Sequence, residues 1–370
     1  MSKRKNKSAP SPSPASAPAA SVSPKNRPTA QAKRATPSPT SAERRRPTWL
    51  IGLIGLLILC AVGIFYWMRS PQPNRGATAN ATLVNHVLHP LGRVNGCRTL
   101  PAFVTPLGFN RTAAISTDMR PQKGAVLVEQ GPNGQIGRTY QHPSWTMGGF
   151  LGPPATDKFG NIYLFPAPWI NLIDNPPEKQ NILYKIDNKT GIMAEFLALP
   201  AAAKLVPENP YGILGLAYDC DTQSLYAASV AGSTRQQENG RIFQIDAATG
   251  KIVAQIENMD VFGLAGFNGS KGKRLYFGLA RTPDVRSIQL DDNGHFVGEP
   301  RQEFSLEGMG AHGDEKAQRI TIDADNILTV RSLEFDFNLI APTELRRTLF
   351  KYAYDTNKDA WHLVDSVPIK

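Results

Sequence analysis

The chain has 370 residues, with 41 Lys and Arg against 31 Asp and Glu, and a net charge of +10. All of that charge lies in residues 1–47, where 11 basic residues accompany one acidic residue, and the other 323 residues carry 30 charges of each sign. This distribution excludes a broad basic groove, so no nucleic acid partner is expected. Three cysteines in the whole chain exclude a disulfide-built scaffold.

Residues 1–47 are rich in Ser, Ala, Pro, Lys and Arg and hold no aromatic side chain. Such a segment cannot offset its ordering entropy by burying apolar surface, so we predict a disordered tail. Its positive charge favours contact with anionic lipid headgroups.

An uncharged run from Thr48 to Met68 predicts a transmembrane helix. Its length matches a hydrocarbon core of about 30 Å, and Trp49 and Trp67 lie near its two ends, where interfacial aromatic residues belong. The run is longer than the apolar part of a secretory signal and follows 47 residues, which favours an uncleaved signal-anchor.

The flanking charges predict the orientation of this span in a cell membrane. Arg44, Arg45 and Arg46 precede it, and the positive-inside rule therefore places the tail in the cytoplasm. Residues 69–370 then lie in the periplasm, outside the cell or in a lumen, with 69–94 as a linker that includes a closing strand. In that oxidising setting Cys97 and Cys220 either form a disulfide or remain two buried thiols, and the sequence leaves both open.

The body, residues 95–370, contains a repeat of short β-strands. Four units cover residues 155–193, 215–253, 263–294 and 319–355, and the stretch 95–150 is interpreted as a further unit. Turns such as 187–191 and 246–250 begin with Asp and end with Gly, as hairpins that need a positive φ do. The aligned positions of the four units are Tyr163, Tyr226, Tyr276 and Leu328.

Four strands in about 50 residues are typical of a propeller blade, whose sheet needs neighbours on both faces. Dividing the 295 residues of 76–370 by this period predicts an all-β protein, a six-bladed β-propeller, with five blades as the alternative.

The unit at 215–253 reads Gly-Leu-Ala-Tyr-Asp, then Leu-Tyr, then Ile-Phe-Gln-Ile-Asp-Ala-Ala-Thr-Gly. With this pattern, residues 150–360 resemble the six-bladed propellers of the senescence-marker, gluconolactonase and strictosidine-synthase-like group and the related NHL and TolB-like propellers. Membrane-anchored members of that group share the order of tail, span and body. Its metal-dependent members carry Asn-Gly and Pro-Asp-Gly motifs, whereas this chain has Gly-Ile-Leu-Gly at 212–215 and Lys-Ala-Gln-Arg at 316–319.

Candidate site residues lie in the segments that lead into the inner strand of each blade. These segments meet at one end of the central channel and contribute Trp145, Glu208, Asn209, Asn258, Asp260, His312 and Asp314. Glu208, Asp260 and Asp314 are candidate ligands for Ca²⁺ or another divalent cation, because hard cations prefer oxygen donors. Such a metal would polarise a lactone or ester carbonyl, with His312 or Asp314 as the proton carrier.

Long connections between second and third strands, residues 166–180, 229–240 and 332–347, are expected on the same face. Trp169 and its apolar neighbours there predict a contact patch. The sequence therefore predicts a membrane-anchored propeller that binds a protein or small ligand on its loop-rich channel face. The alternative is a metal-dependent hydrolase of lactone or ester bonds.

Overall fold

The computed structural model describes residues 90–97, 99–117, 122–131, 135–168, 172–311, 313–339 and 346–369. The predicted tail (1–47), the predicted span (48–68) and linker residues 69–89 lie outside these ranges. Within them, no helix has the length and apolar character needed to cross a membrane.

The described residues form an all-β propeller of five blades, each an antiparallel sheet. Blade 1 contains β2 (Ala114–Ser116), β3 (Val126–Gln130) and β4 (Ile136–Tyr140); blade 2 contains β5 (Ala155–Thr156), β6 (Ile162–Leu164), β7 (Ile182–Ile186) and β8 (Met193–Ala198). Blade 3 contains β9 (Ile213–Asp219), β10 (Ser224–Ser229), β11 (Arg241–Asp246) and β12 (Ile252–Glu257). Blade 4 contains β13 (Val261–Gly269), β14 (Gly272–Leu279), β15 (Asp284–Leu290) and β16 (Phe296–Ser305); blade 5 contains β17 (Lys316–Ile322), β18 (Ile327–Leu333), β19 (Arg347–Asp355) and β20 (Ala360–Ile369). Three short 3-10 helices, Ala102–Val104, Pro143–Thr146 and Pro177–Lys179, lie in the connections.

The prediction of six blades was wrong, and five is the number found in the described chain. Division by the repeat length counted every residue of 76–370 as part of a blade, but the described residues of 95–113 contain a 3-10 helix, Ala102–Val104, and no strand. Phe103 in this helix packs into the core beside Trp145, and its N–H donates to the Asn188 carbonyl at 3.0 Å. The segment therefore covers one end of blade 2 and contributes no blade of its own.

The strand β1 (Arg93–Val94) adds a fifth strand to blade 4. It pairs with β13, the first strand of that blade, with Val94 opposite Phe267. A closing strand at the end of a propeller normally completes the last blade, but blade 5 already takes four strands from one stretch of chain. The N-terminal strand therefore adds to the inner edge of a neighbouring blade.

The apolar core is divided among the interfaces between successive blades. Leu183 of blade 2 shares a buried cluster with Phe243 of blade 3, and Val285 of blade 4 shares one with Val330 of blade 5. Each sheet is therefore stabilised by burial against its neighbours, as the repeat predicts.

The predicted Asp-to-Gly turns are confirmed. The Asp246 carboxylate accepts hydrogen bonds from the N–H groups of Ala248 (2.9 Å) and Thr249 (2.8 Å), and Gly250 has φ +74°. The Thr249 N–H lowers the pKa of Asp246 below its ordinary value because it stabilises the carboxylate. The turn at 187–191 repeats this arrangement, with Gly191 at φ +67°.

Two of the repeated tyrosines donate hydrogen bonds from one blade to the next. The Tyr163 hydroxyl donates to the Ala247 carbonyl at 2.8 Å, and the Tyr226 hydroxyl donates to the Gly294 carbonyl at 2.6 Å. Each acceptor lies in the turn between the third and fourth strands of the following blade. Hydrogen bonding to the next blade therefore explains two of the aligned tyrosines, whereas the hydroxyl of the third, Tyr276, has no hydrogen-bond partner among the described residues.

We expect Tyr226→Phe to lower the free energy of unfolding by about 1–2 kcal/mol, because the buried Gly294 carbonyl loses its donor. Tyr352→Phe is the matched control. Tyr352 is equally buried, but its hydroxyl has no hydrogen-bond partner in the described ranges, so the change should be neutral or stabilising. Denaturant unfolding of both variants measures this, and equal losses would contradict the docking role.

Cys97 and Cys220, whose state the sequence left open, form a disulfide. Beside it, the Asn95 side-chain amide donates to Asp219, and the Cys220 N–H donates to the Asn95 side-chain oxygen at 3.2 Å. The Lys273 ammonium lies 2.9 Å from Asp219 Oδ2 and also pairs with Asp221. The segment after β1 is thus held to blades 3 and 4 by one covalent bond and a buried polar network.

Candidate functional site

A cavity of about 200 Å³ opens at the channel face, the end of the propeller where the segments leading into the inner strands meet the connections between second and third strands. All five blades, with the segments that join them, contribute to its wall. The lining residues are Thr117, Gln122, Phe150, Leu151, Gly152, Pro153, Phe165, Ala167, Pro168, Tyr211, Ile213, Leu214, Phe262, Gln318, Arg319, Arg331, Leu333, Glu334, Phe335, Asn338 and Arg347. Two of the three long connections, 166–180 and 332–347, therefore contribute to the cavity wall, and 229–240 does not line it.

Aromatic side chains from three blades form one side of the cavity. The Phe335 ring packs edge-on against Phe262, with centroids 4.5 Å apart, and lies 5.2 Å from the Tyr211 ring. Burial raises the pKa of Tyr211 above its ordinary value, so the phenol stays neutral and its hydroxyl donates to the Asn338 carbonyl at 2.8 Å. Blade 5 is thus joined to blades 3 and 4 across the cavity mouth.

Three arginines form another side, which we call the arginine wall: Arg319, Arg331 and Arg347. All belong to blade 5, and Arg319 lies directly opposite Arg331 in the register of β17 and β18. Opposed like charges destabilise a sheet unless something else compensates them. Among the lining residues that the structure describes, Glu334 alone carries a carboxylate, and Arg319, Arg347 and Glu334 each interact with other groups of the protein.

Asp260 is completely buried, and its hydrogen bonds indicate a structural role. Its carboxylate accepts hydrogen bonds from Ser233, from the Gly240 N–H at 2.9 Å and from Arg281 Nη2 at 2.6 Å. Burial raises the pKa of Asp260, while the hydrogen bonds from Ser233 and Arg281 oppose that rise. The carboxylate therefore holds the connection between β10 and β11 in place.

Asn209 and Trp145 also point into the protein. The Asn209 amide donates to the Val230 carbonyl at 2.8 Å and the Ser233 carbonyl at 3.0 Å. Trp145 is fully buried, and its indole N–H donates to the Gly191 carbonyl of blade 2 at 2.7 Å. Both residues position the segments around the channel, and neither lines the cavity.

The remaining candidates are placed as follows. Glu208, Asn258 and Asp314 are exposed, and Asn258 has a left-handed backbone with φ +56°. His312 and Trp169 lie outside the described residues. Within the described ranges, no group of three or more His, Cys, Asp or Glu side chains is arranged to hold a metal ion, so Glu208, Asp260 and Asp314 do not come together as one site.

The sequence reasoning missed the residues that line the cavity, above all Leu214, Phe262, Arg319 and Arg331. They lie inside the inner strands or their partners, a few residues beyond the loops that were chosen. One signal was available. Arg319 occupies the repeat position that holds Gly215 and Gly263 in the two preceding units, so an arginine replaces a glycine there.

Comparison with known proteins gives no closer identification of this propeller. No family model matches the chain, and no curated protein matches it. Matches among solved structures include a protein from Lactobacillus plantarum, at 12% identity and a TM-score of 0.40 over 70% of this chain and 82% of the other. Another comes from Bacteroides uniformis and bears a provisional 6-phosphogluconolactonase description, at 12% identity and 0.42 over 70% and 68%.

A streptogramin B lyase matches at 13% identity and a TM-score of 0.36, over 70% of this chain and 80% of the lyase. Likeness at this level carries no argument about activity. The class of protein is therefore defined by the five sheets themselves: a β-propeller with a small cavity at its channel face.

Proposed function

We propose that this propeller binds a small ligand in the channel-face cavity. The observation that carries the proposal is the cavity itself, which all five blades line and which combines aromatic side chains with a few convergent polar groups. Binding sites in proteins usually have this composition, because apolar walls supply affinity and the polar groups orient the ligand. The volume of about 200 Å³ suits a ligand of one or two rings better than a folded partner.

We further propose that the propeller is anchored in a cell membrane and lies outside the cytoplasm. The apolar run 48–68 and the arginines before it support this topology. The Cys97–Cys220 disulfide also supports it, because disulfides persist in oxidising compartments. Protease treatment of inside-out vesicles should digest the tail and leave the propeller intact. Digestion of the propeller with protection of the tail would refute the topology.

Blocking the cavity tests the binding proposal. Leu214 lines the cavity from β9 and is half-buried, so Leu214→Trp adds volume where a ligand would lie. The probes are 1-naphthoate and its neutral amide, 1-naphthamide, titrated against the full chain in lipid nanodiscs with empty nanodiscs subtracted. We expect at least one probe to bind the native chain and to bind Leu214→Trp at least about 10-fold more weakly.

The matched control is Leu363→Trp on β20, which is 45% exposed and does not line the cavity. This variant should bind the probes as the native chain does. Failure of both probes to bind the native chain at about 1 mM, or equal binding by Leu214→Trp, would overturn the proposal.

No specific observation in the described residues favours the hydrolase alternative. Asp260 is committed to Arg281 and Ser233, and Glu208 and Asp314 do not join it in a metal-binding group. Ligand binding is therefore the function that we propose.

A further inference from the structure

Buried apolar clusters hold the blades together at four of the interfaces in the ring. They join blade 1 to blade 2, blade 2 to blade 3, blade 3 to blade 4 and blade 4 to blade 5. In the described part of the chain, none of these clusters contains residues of both blade 5 and blade 1. We call this remaining interface the seam. Because each blade is stabilised by burial against its neighbours, the seam is where the ring has the least apolar stabilisation.

The exposure of the strands on either side of the seam agrees with this. On β20, the outermost strand of blade 5, every residue from 362 to 368 is exposed, and on β4, the outermost strand of blade 1, residues 136–139 are exposed. On β12 of blade 3, by contrast, exposed and half-buried residues alternate. Val126 and Val128 lie on the face of β3 opposite Leu127 and are buried, but neither belongs to a cluster with blade 5. The outer part of the seam is thus open to solvent.

The segment before blade 1 contacts the blades in turn at the base, the end of the propeller opposite the channel face. We call residues 92–97 and 99–113 of this segment the strap. Its first contact is with blade 5, where the Asn326 side chain donates to the Gly92 carbonyl at 2.8 Å. Next, β1 pairs with β13, the inner strand of blade 4. The strap therefore begins beside the blade on one side of the seam.

From blade 4 the strap continues past blades 3, 2 and 1. The Cys97–Cys220 disulfide joins it to blade 3. The Thr99 hydroxyl donates to the Lys158 carbonyl of blade 2 at 2.8 Å, and Phe103 then enters the cluster that blades 1 and 2 share. The strap thus connects blade 5 to blade 1 by way of the three blades between them, and the disulfide supplies a covalent bond in the middle of its course.

The seam also reaches the channel-face cavity. Thr117 and Gln122 line the cavity from blade 1, and Gln318 and Leu333 line it from blade 5. Blades 5 and 1 must therefore stay together for the cavity wall to remain complete. If they separated, the two parts of the wall would move apart and water would enter between them.

We propose that the strap closes this ring: its hold on the base of all five blades keeps the seam, and with it the cavity wall, together. In the open state blades 5 and 1 separate, while the other four interfaces persist because parting them would expose buried apolar surface. Loss of the Cys97–Cys220 disulfide releases the middle of the strap and favours the open state. The effect on the cavity rests on the proposed function, whereas the opening of the seam does not.

The test measures distances across two interfaces with pairs of spin labels on outermost strands. One pair, Ile136→Cys on β4 and Val364→Cys on β20, spans the seam. The matched pair, Val253→Cys on β12 and Val297→Cys on β16, spans the interface between blades 3 and 4, which an apolar cluster holds together. All four side chains are 43–60% exposed. Every chain is full length, in lipid nanodiscs, and carries Cys60→Ser so that only the introduced cysteines react.

Cys97→Ser/Cys220→Ser should lengthen the mean distance across the seam and broaden its distribution, and should leave the distance between blades 3 and 4 unchanged. Asn326→Gly keeps the disulfide and should have the same effect to a smaller extent, because it removes the donor at the first contact of the strap. Glycine readily adopts the backbone of Asn326, which has φ +59°. Asn258→Gly is the matched control and should change neither distance, since Asn258 also has a positive φ, +56°, but is exposed and lies outside the strap.

Probe binding provides the second measurement. The apparent affinity falls with the fraction of chains whose ring is closed, so Cys97→Ser/Cys220→Ser should bind 1-naphthoate or 1-naphthamide at least about 3-fold more weakly than the native chain. Unchanged affinity beside a wider seam would overturn the link to the cavity. Binding of no probe to the native chain would overturn the proposed function and leave the role of the strap standing. An unchanged distance across the seam, or equal widening of both label pairs in every variant, would overturn the role of the strap itself.

Discussion

Loss of the Cys97–Cys220 disulfide is expected to lower the free energy of unfolding by about 2–5 kcal/mol. The bond joins residues 123 apart in sequence, so it removes many conformations from the unfolded chain. The bond also keeps the Asn95 side chain in contact with Asp219 and Asp221. If the segment around Cys97 were released, these two buried carboxylates would lose the Asn95 hydrogen bonds. The comparison is denaturant unfolding of the native chain with that of Cys97→Ser/Cys220→Ser.

The third cysteine, Cys60, provides the control. The Cys60→Ser variant should have the native stability, because Cys97 and Cys220 remain. Adding a reductant should then remove the stability that the disulfide contributes. If the reductant leaves the unfolding midpoints of the native chain and of Cys60→Ser unchanged, Cys97 and Cys220 are not paired in the protein. The proposed location outside the cytoplasm would then lose one of its supports.

The second large effect is expected at Arg281→Met. This change keeps the apolar stem and removes the cation from Asp260, whose side chain is completely buried. Breaking a buried ion pair from one side costs about 3–5 kcal/mol, because the remaining charge is left without compensation. Arg281 also donates to the carbonyls of Arg235 and Gln237, so the connection after β10 should loosen as well.

The pH dependence of this loss has a definite sign. Burial already raises the pKa of Asp260, and removal of Arg281 should raise it further. The stability lost in Arg281→Met is therefore largest above the pKa of Asp260 in the folded variant, where the buried carboxylate is charged. The loss becomes smaller as the pH falls toward about 4, the pKa of an Asp in the unfolded chain, because the buried carboxyl is then protonated and neutral. Asp260→Asn/Arg281→Met should regain part of the stability at neutral pH, since no buried charge remains unpaired.

An exposed ion pair, Lys351–Asp365, provides the control for the Arg281→Met measurement. Lys351 and Asp365 lie 3.5 Å apart with side chains 44% and 46% exposed, and Lys351→Met should cost less than about 1 kcal/mol. Equal effects of Lys351→Met and Arg281→Met would contradict the structural role assigned to Asp260.

The fold could be predicted where its determinants are local in sequence. The turn at 246–250 depends on Asp246 and Gly250, which lie within one hairpin, and Tyr163 and Tyr226 lie at one aligned position of the repeat. The number of blades depends on whether residues 95–113 form a sheet of their own or pack against another blade. Those residues pack against blade 2 through Phe103, which a count of repeats cannot show.

The site was harder to predict because its residues acquire their roles from distant partners. Asp260 has the right chemistry for a metal ligand, but Arg281 and Ser233, each more than 20 residues away, turn it into a structural anchor. Arg319 and Arg331 become one wall only through the register of β17 and β18. Two of the long connections, 166–180 and 332–347, reach the cavity, while many of the residues that line it lie in the strands beneath them.

The most direct test of the account is a structure of the full chain with 1-naphthoate bound. The account predicts that the naphthalene ring lies in the cavity, against Phe262 and Phe335. A ligand bound elsewhere on the propeller, or an empty cavity at a saturating concentration of the probe, would contradict it.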